Sequence, residues 1–163
     1  MKIFKKVIDR FFKNSLVINK KFLLHATVYN HGKDLISKYA LNDIIIRSSL
    51  LNKMIHVDLK VNSESFLSYK SDGIIVSTPT GSTGYSFSAG GPILEADLEG
   101  FLLTPISPHS VYNRSFVFSK LSKLSLSFPK EYFIAPASIF LDGINFGSFG
   151  VDVVLNLKFL LKA

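Results

Sequence analysis

The sequence predicts an all-β protein with minor helix, built as a sandwich of two mostly antiparallel sheets. Three observations carry that expectation. Apolar and polar residues alternate with a period of two in several segments after Phe22. Turn-forming pairs, above all Asp72-Gly73 and Asp142-Gly143, recur at strand-like spacing and read as hairpins. No sustained helical period follows residue 40. With 47% hydrophobic and 13% aromatic residues, the 163-residue chain can bury one sizeable core, so a single domain over residues 1–163 is expected.

Taken in chain order, Ile3, Phe4, Val7, Ile8, Phe11 and Phe12 fall near helical spacing. Residues 3–17 therefore read as a short amphipathic helix, or as the remnant of something larger upstream. From Phe22 the period becomes that of strands. Ile55, Val57, Leu59 and Val61 alternate with His56, Asp58, Lys60 and Asn62; Asn62-Ser63-Glu64 turns the chain, and Ser65 to Lys70 returns it. The apolar run Ile74-Ile75-Val76 leads into a loop of hydroxyls and glycines. A turn or two of helix fits Ser86 to Ala89 or Glu95 to Gly100. Pro105 to Ser110 reads as a loop whose path two prolines fix. Leu124, Leu126 and Phe128 alternate with serines, and Val151, Val153, Leu155 and Leu157 alternate with Asp152, Val154, Asn156 and Lys158. No internal repeat, low-complexity linker or second domain interrupts the pattern.

The charge is unevenly placed. The first 40 residues hold nine Lys or Arg and two Asp, which is the whole of the +7; the remainder balances. A basic lead-in over residues 1–20 reads as a solvated Lys-rich segment, as an arm for nucleic acid, or as a source of attraction for anionic phosphates. Arginine is rare and the segment lacks Gly or Ser spacing, so nucleic acid is disfavoured. Charged residues from Asp9 to Lys21 break every apolar run, which argues against a signal core or a membrane span. Cysteine is absent, which excludes disulfides and thiolate metal sites and fits a cytoplasmic setting.

Three segments could carry chemistry. The first is Thr78-Pro79-Thr80-Gly81-Ser82-Thr83-Gly84-Tyr85-Ser86, followed by Ser88-Ala89-Gly90-Gly91-Pro92. Small residues let the backbone approach a ligand, Thr80, Ser82 and Thr83 offer hydroxyls, and Tyr85 offers a stacking face with a polar tip. The same composition also suits an ordinary β-loop. It is neither a Walker A loop nor a dinucleotide fingerprint, because no Gly-Lys-Ser/Thr and no helix-opening glycine triplet occurs. The second segment is Ala40-Leu41-Asn42-Asp43, where an amide and a carboxylate at the mouth of a strand could chelate a ribose diol or simply enter the strand by a turn. The third is Pro105 to Ser110, where His109 is either an exposed loop residue or a contact for a phosphate or an amide. His25, His31 and His56 share no metal-ligand spacing with it, so no zinc site is expected.

Together and in this order the segments resemble the C-terminal domain of the NAD kinases, which phosphorylate NAD to NADP. Ala40 to Asp43 looks like that family's Ala-Leu-Asn-Asp/Glu motif. Ser71-Asp72-Gly73, Ser77 to Ser88 and Gly90-Gly91-Pro92 look like its long Thr-Pro-Thr-Gly-Ser-Thr block, and Leu103 to His109 looks like its Leu-Thr-Pro-Ile-Cys-Pro-His run. The likeness spans roughly residues 15 to 155. It implies a β-sandwich that provides most of an NAD pocket. Asn42 and Asp43 would bind the ribose that receives the phosphate, and Asp72 would accept from the nicotinamide carboxamide. Thr80, Thr83, Gly84, Tyr85, Ser86 and Ser88 would cradle adenine and its ribose. His109 would line the same cleft, and Lys53 and Lys70 occupy places where a basic residue often assists binding. The resemblance also implies a dimer or tetramer whose pocket borrows residues from a neighbouring subunit.

Three departures qualify it. Gly84 stands where Ala is commoner and Ile144 where Gln is usual. The family's Gly-Gly-Asp-Gly-Thr motif, carried by an N-terminal α/β domain, is absent from the sequence. In the complete enzyme that half would meet ATP or polyphosphate and a divalent metal, and phosphoryl transfer depends on the positioning and charge it supplies. The chain alone is therefore expected to bind NAD or NADP without turnover, with no catalytic residue and no metal ligand of its own. One rival is a non-catalytic β-module that assembles with or regulates a partner. Another is the related domain of a lipid kinase, which the Thr-Pro-Thr-Gly-Ser-Thr block argues against.

Overall fold

The computed structural model describes residues 2–13, 15, 20–30, 33–109, 111–151 and 153–161. His31, Ser110, Asp152 and part of the predicted 3–17 helix lie outside them. Helix α1, Lys2–Phe12, is followed by strands β1 (Phe22–Asn30), β2 (Lys33–Ala40), β3 (Asp43–Ser48), β4 (Ile55–Val61), β5 (Glu64–Ser71) and β6 (Gly73–Ser77). A 3-10 turn at Gly81–Thr83 and the one-turn helix α2 (Tyr85–Ser88) come next. Strands β7 (Gly100–Ile106), β8 (Phe116–Ser119), β9 (Lys123–Ser127), β10 (Ala137–Leu141), β11 (Ile144–Phe149) and β12 (Val153–Leu161) complete the order.

These strands form two six-stranded sheets, one in the order β2-β1-β12-β9-β4-β5 and the other β11-β10-β3-β6-β7-β8. Every described pairing is antiparallel, so the expected all-β sandwich is found. The period-two pattern explains why. Val57 and Leu59 of β4, Leu124 and Leu126 of β9 and Leu155 and Leu157 of β12 point inward from the first sheet. Ile44 and Ile46 of β3, Ile74 and Val76 of β6 and Phe101 and Leu103 of β7 meet them from the second. Phe101 stacks on Phe159 at 5.8 Å between the two layers. Each such side chain, taken fully out of water, contributes about 1.5–3 kcal/mol before chain entropy opposes it.

β6 and β7 do not alternate in burial, because these two central strands are covered on both faces. Ile75 and Leu102 are completely buried on the side away from the sandwich core, where α2 packs against β6. That cover explains the continuous apolar run Ile74-Ile75-Val76. The helical turn expected near Ser86 is α2, whereas residues 95–100 form no helix.

The two Asp-Gly pairs behave differently. Asp142 (φ 47°) and Gly143 (φ 81°) make a two-residue hairpin between β10 and β11, as expected. Asn62 (φ 51°) and Ser63 (φ 73°) do the same between β4 and β5. Asp72-Gly73 is no hairpin: β5 ends in one sheet and β6 begins in the other. The Asp72 N–H donates to the Ile106 carbonyl at 3.0 Å, and a Cβ on Gly73 would lie 2.6 Å from the Ile46 carbonyl oxygen. The pair is a corner that tolerates no side chain at its second position. Pro105 is likewise not in a loop but inside β7, opposite Ile74. β8 pairs only with Gly100 to Leu103, so the missing N–H at Pro105 interrupts no described ladder on that side. No helix among the described residues is long and apolar enough to cross a membrane.

Tyr69 is 1% exposed and its hydroxyl has no hydrogen-bond partner; burial pushes its pKa up to about 12. Tyr69→Phe removes an unsatisfied polar atom while keeping the ring, so urea unfolding should show stability unchanged or raised by about 1 kcal/mol. A loss of that size would contradict the burial described here.

Candidate functional site

Strand order builds the site. β3 lies between β10 and β6, so Asp43 at the start of β3 stands opposite Ser77 at the end of β6. Ile44 stands opposite Leu141 at the end of β10. Three connections therefore meet at one end of the second sheet: the Leu41-Asn42 turn, the loop after Ser77, and the Asp142-Gly143 hairpin. They enclose a cavity of about 380 Å³ lined by Asn42, Asp43, Ile45, Thr80, Gly81, Thr83, Gly84, Tyr85, Asp142 and Gly143.

Hydrogen bonds lock the three segments together. The N–H groups of Leu41 and Asn42 donate to the Asp142 carboxylate at 2.7 Å each, and that of Asp43 at 3.1 Å. The Asp142 N–H donates back to the Asp43 carbonyl at 3.0 Å. Thr78 ties the loop to the turn: its hydroxyl donates to the Leu41 carbonyl at 2.7 Å, and its N–H to the Asn42 carbonyl at 2.9 Å. The Gly81 N–H returns to the Thr78 hydroxyl at 3.1 Å. Gly81 lies directly on Asn42, where a Cβ would come within 2.1 Å of the carbonyl oxygen. Ser82 donates to the Pro79 carbonyl at 2.7 Å and accepts from the Leu94 N–H at 3.0 Å.

Asp43 is the buried ionisable group of this cavity. Burial, then the charge of Asp142, raises its pKa above the ordinary carboxylate range. Its backbone is fixed from two sides, by Ser77 and Asp142, while its side chain lines the cavity with Asn42. A paired amide and carboxylate of this kind can accept from and donate to adjacent hydroxyls. Tyr85, 42% exposed, supplies an aromatic wall.

The other expected site residues divide. Asp72 and Lys53 line a second cavity, of about 500 Å³, with Arg47, Ser138, Phe140 and Asn145 among its walls. His109 and Lys70 are exposed and lie side by side, the His109 N–H donating to the Lys70 carbonyl at 2.7 Å. Neither lines the first cavity, so His109 does not share a cleft with Asn42 within one chain. Both cavities open on the outer face of the second sheet and adjoin there, since Ile45 of one is the register partner of Phe140 of the other. Ser88 is exposed outside both. Ser86 corrects an expectation: it is fully buried, and its hydroxyl pairs with that of Thr104 at 2.9 Å, so it anchors α2 rather than facing a ligand.

Sequence reasoning took Asp142-Gly143 as a turn and missed that its carboxylate organises the site; the Asp at the first position of a type I′ turn was the available signal. Nothing in the sequence marked Arg47, Phe140 or Asn145 as cavity residues.

A two-sheet antiparallel sandwich with three connections meeting at a hydroxyl-, amide- and carboxylate-lined cavity defines an all-β domain with a polar cleft at one end of a sheet. The ATP-NAD kinase C-terminal domain matches over residues 41–145, and the chain belongs to that family. It is 94% identical over 155 residues to an NAD kinase of Borrelia garinii subsp. bavariensis, covering 95% of this chain and 56% of that protein. The chain thus spans little more than half the length of that relative. Its fold superposes on yeast NADH kinase crystallised with NADH at a TM-score of 0.91, over 99% of this chain and 46% of that one, at 24% identity. An NAD kinase from Archaeoglobus fulgidus in complex with ATP superposes at 0.67, over 96% of this chain and 55% of that one, at 30% identity.

Two outcomes test the architecture. Asp142→Ala leaves the N–H groups of residues 41–43 without their shared acceptor and should cost about 2 kcal/mol in urea unfolding. Asp43 gives a pH signature. Its raised pKa means that ionisation opposes folding, so its contribution is present below the ordinary carboxylate range and is lost as pH rises through the folded value. Asp43→Asn should therefore gain thermal stability on the parent chain between about pH 4 and about pH 7; a gap that shrinks with rising pH would contradict the assignment.

Proposed function

We propose that the chain is the NAD-binding half of an NAD kinase. The observation that carries this reading is the convergence of Asn42-Asp43 and Thr80 to Tyr85 on one cavity. Asn42 and Asp43 hold the two hydroxyls of the adenosine ribose, one of which is the phosphoryl acceptor. Desolvation of Asp43 favours exchange of water for ribose hydroxyls as acceptable partners. Tyr85 stacks on the base, and Thr80, Thr83 and the Gly84 backbone frame it. What these groups contribute to phosphoryl transfer is position.

Asp72 and Lys53, in the adjoining cavity, serve the far end of a dinucleotide or the pocket of a second copy in a homo-oligomer. Lys70, two residues before Asp72, and His109 lie side by side and are assigned to the same assisting role. ATP or polyphosphate and a divalent metal belong to the complete enzyme. Among the described residues no cluster of three His, Asp or Glu side chains could hold a metal, and no metal ligand is assigned to this chain.

A second reading is favoured by α1. Its apolar residues Ile3, Phe4, Val7, Phe11 and Phe12 are all exposed, which suits a β-module that docks a partner. Titration calorimetry with NAD separates the two. The first reading expects binding that weakens by about tenfold or more in Asn42→Ala and in Tyr85→Ala, the loss of a paired hydrogen bond or a stacking face. Binding unchanged in both variants, or none in the parent chain, would overturn it. No NADP should form from NAD and ATP with this chain alone.

A further inference from the structure

The opposite side of the sandwich carries a cavity that the nucleotide reading does not use. It is about 300 Å³, lies on the outer face of the first sheet, and is lined by residues of β1, β9 and β12 together with Ser63 of the β4–β5 turn. Lys158 of β12 and Lys123 of β9 are direct cross-strand partners, and both are exposed. Like charges directly opposite each other in a sheet are destabilising unless something compensates them. Among the described residues no Asp or Glu lines the cavity. Glu99, a carboxylate elsewhere in the fold, is paired with Lys120. Asp58, on the same sheet, is engaged by Ser68.

The remaining wall is rich in donors. The Ser125 hydroxyl donates to Asn156 Oδ1 at 2.5 Å, which leaves the Asn156 amide nitrogen as its free donor side. Thr27 and Tyr29 add hydroxyls. His25, beside Lys158 in register, is held by the Ser37 hydroxyl at 2.8 Å and by stacking on Tyr39. Two ammonium groups, an amide and several hydroxyls around a concave space, with no acid among the described lining residues, match an anion with several oxygens.

We propose that this cavity binds a free phosphate-bearing anion, independently of the candidate nucleotide site. Its concavity between strands selects a small soluble anion over a flat membrane surface. The probe is inorganic pyrophosphate, titrated calorimetrically into the 163-residue chain at constant ionic strength. Binding should weaken by about tenfold for each lysine replaced in Lys123→Gln and Lys158→Gln, and should survive Asn42→Ala with Tyr85→Ala. Amide NMR shifts on the parent chain should fall at residues 123–125 and 156–158, a readout that needs no variant to fold. An equal response to chloride, binding only to phosphatidic acid vesicles, or shifts confined to residues 42–43 and 80–85 would each overturn the proposal.

Discussion

One carboxylate holds the candidate site in shape. Asp142 reaches across a two-residue hairpin and collects the N–H groups of Leu41, Asn42 and Asp43. Those donors would otherwise splay at a strand entrance, and their own side chains would have no fixed direction. Thr78 closes the arrangement from the other side with one hydroxyl and one N–H. The cavity is thus defined by backbone groups held by a few short polar side chains, and the side chains that line it inherit that rigidity.

The placement of Asp43 follows from the same contact. Burial of Asp43, and then the charge of Asp142 brought close enough to organise the turn, raises the pKa of Asp43. A stability cost is concentrated where the polar chemistry sits, as is common at ligand sites. The sandwich beneath it tolerates that cost because β3, β6 and β7 are covered on both faces over much of their length.

How much of this was legible follows from the physics of each signal. Alternation declared the strands of the first sheet, since one face of β4, β9 and β12 meets water. The Asn62-Ser63 and Asp142-Gly143 turns were readable because left-handed backbone at both central positions favours those residue types. Asp72-Gly73 carries the same letters, yet the chain there changes sheets; composition near a turn cannot report which layer the next strand joins. Pro105 misled for a related reason, as its place in β7 depends on how far β8 extends. The members of the main cavity were recognisable from the Asn42-Asp43 and Thr80 to Tyr85 segments, whose residue types are unusual together. The separate position of Asp72 and the internal role of Ser86 were not, because both depend on strand order rather than on local chemistry.

The bond between Leu41 and Asp142 joins residues 101 positions apart. During synthesis the early part of the pocket, loop and aromatic wall included, emerges long before its clasp. A nascent chain that has reached only the middle strands has every other lining group of that cavity except the hairpin, and none of the hairpin's restraint. The cavity therefore takes its shape late, when β10 joins its sheet, and a shorter nascent chain holds residues 41–43 and 80–85 without the clasp that orders them.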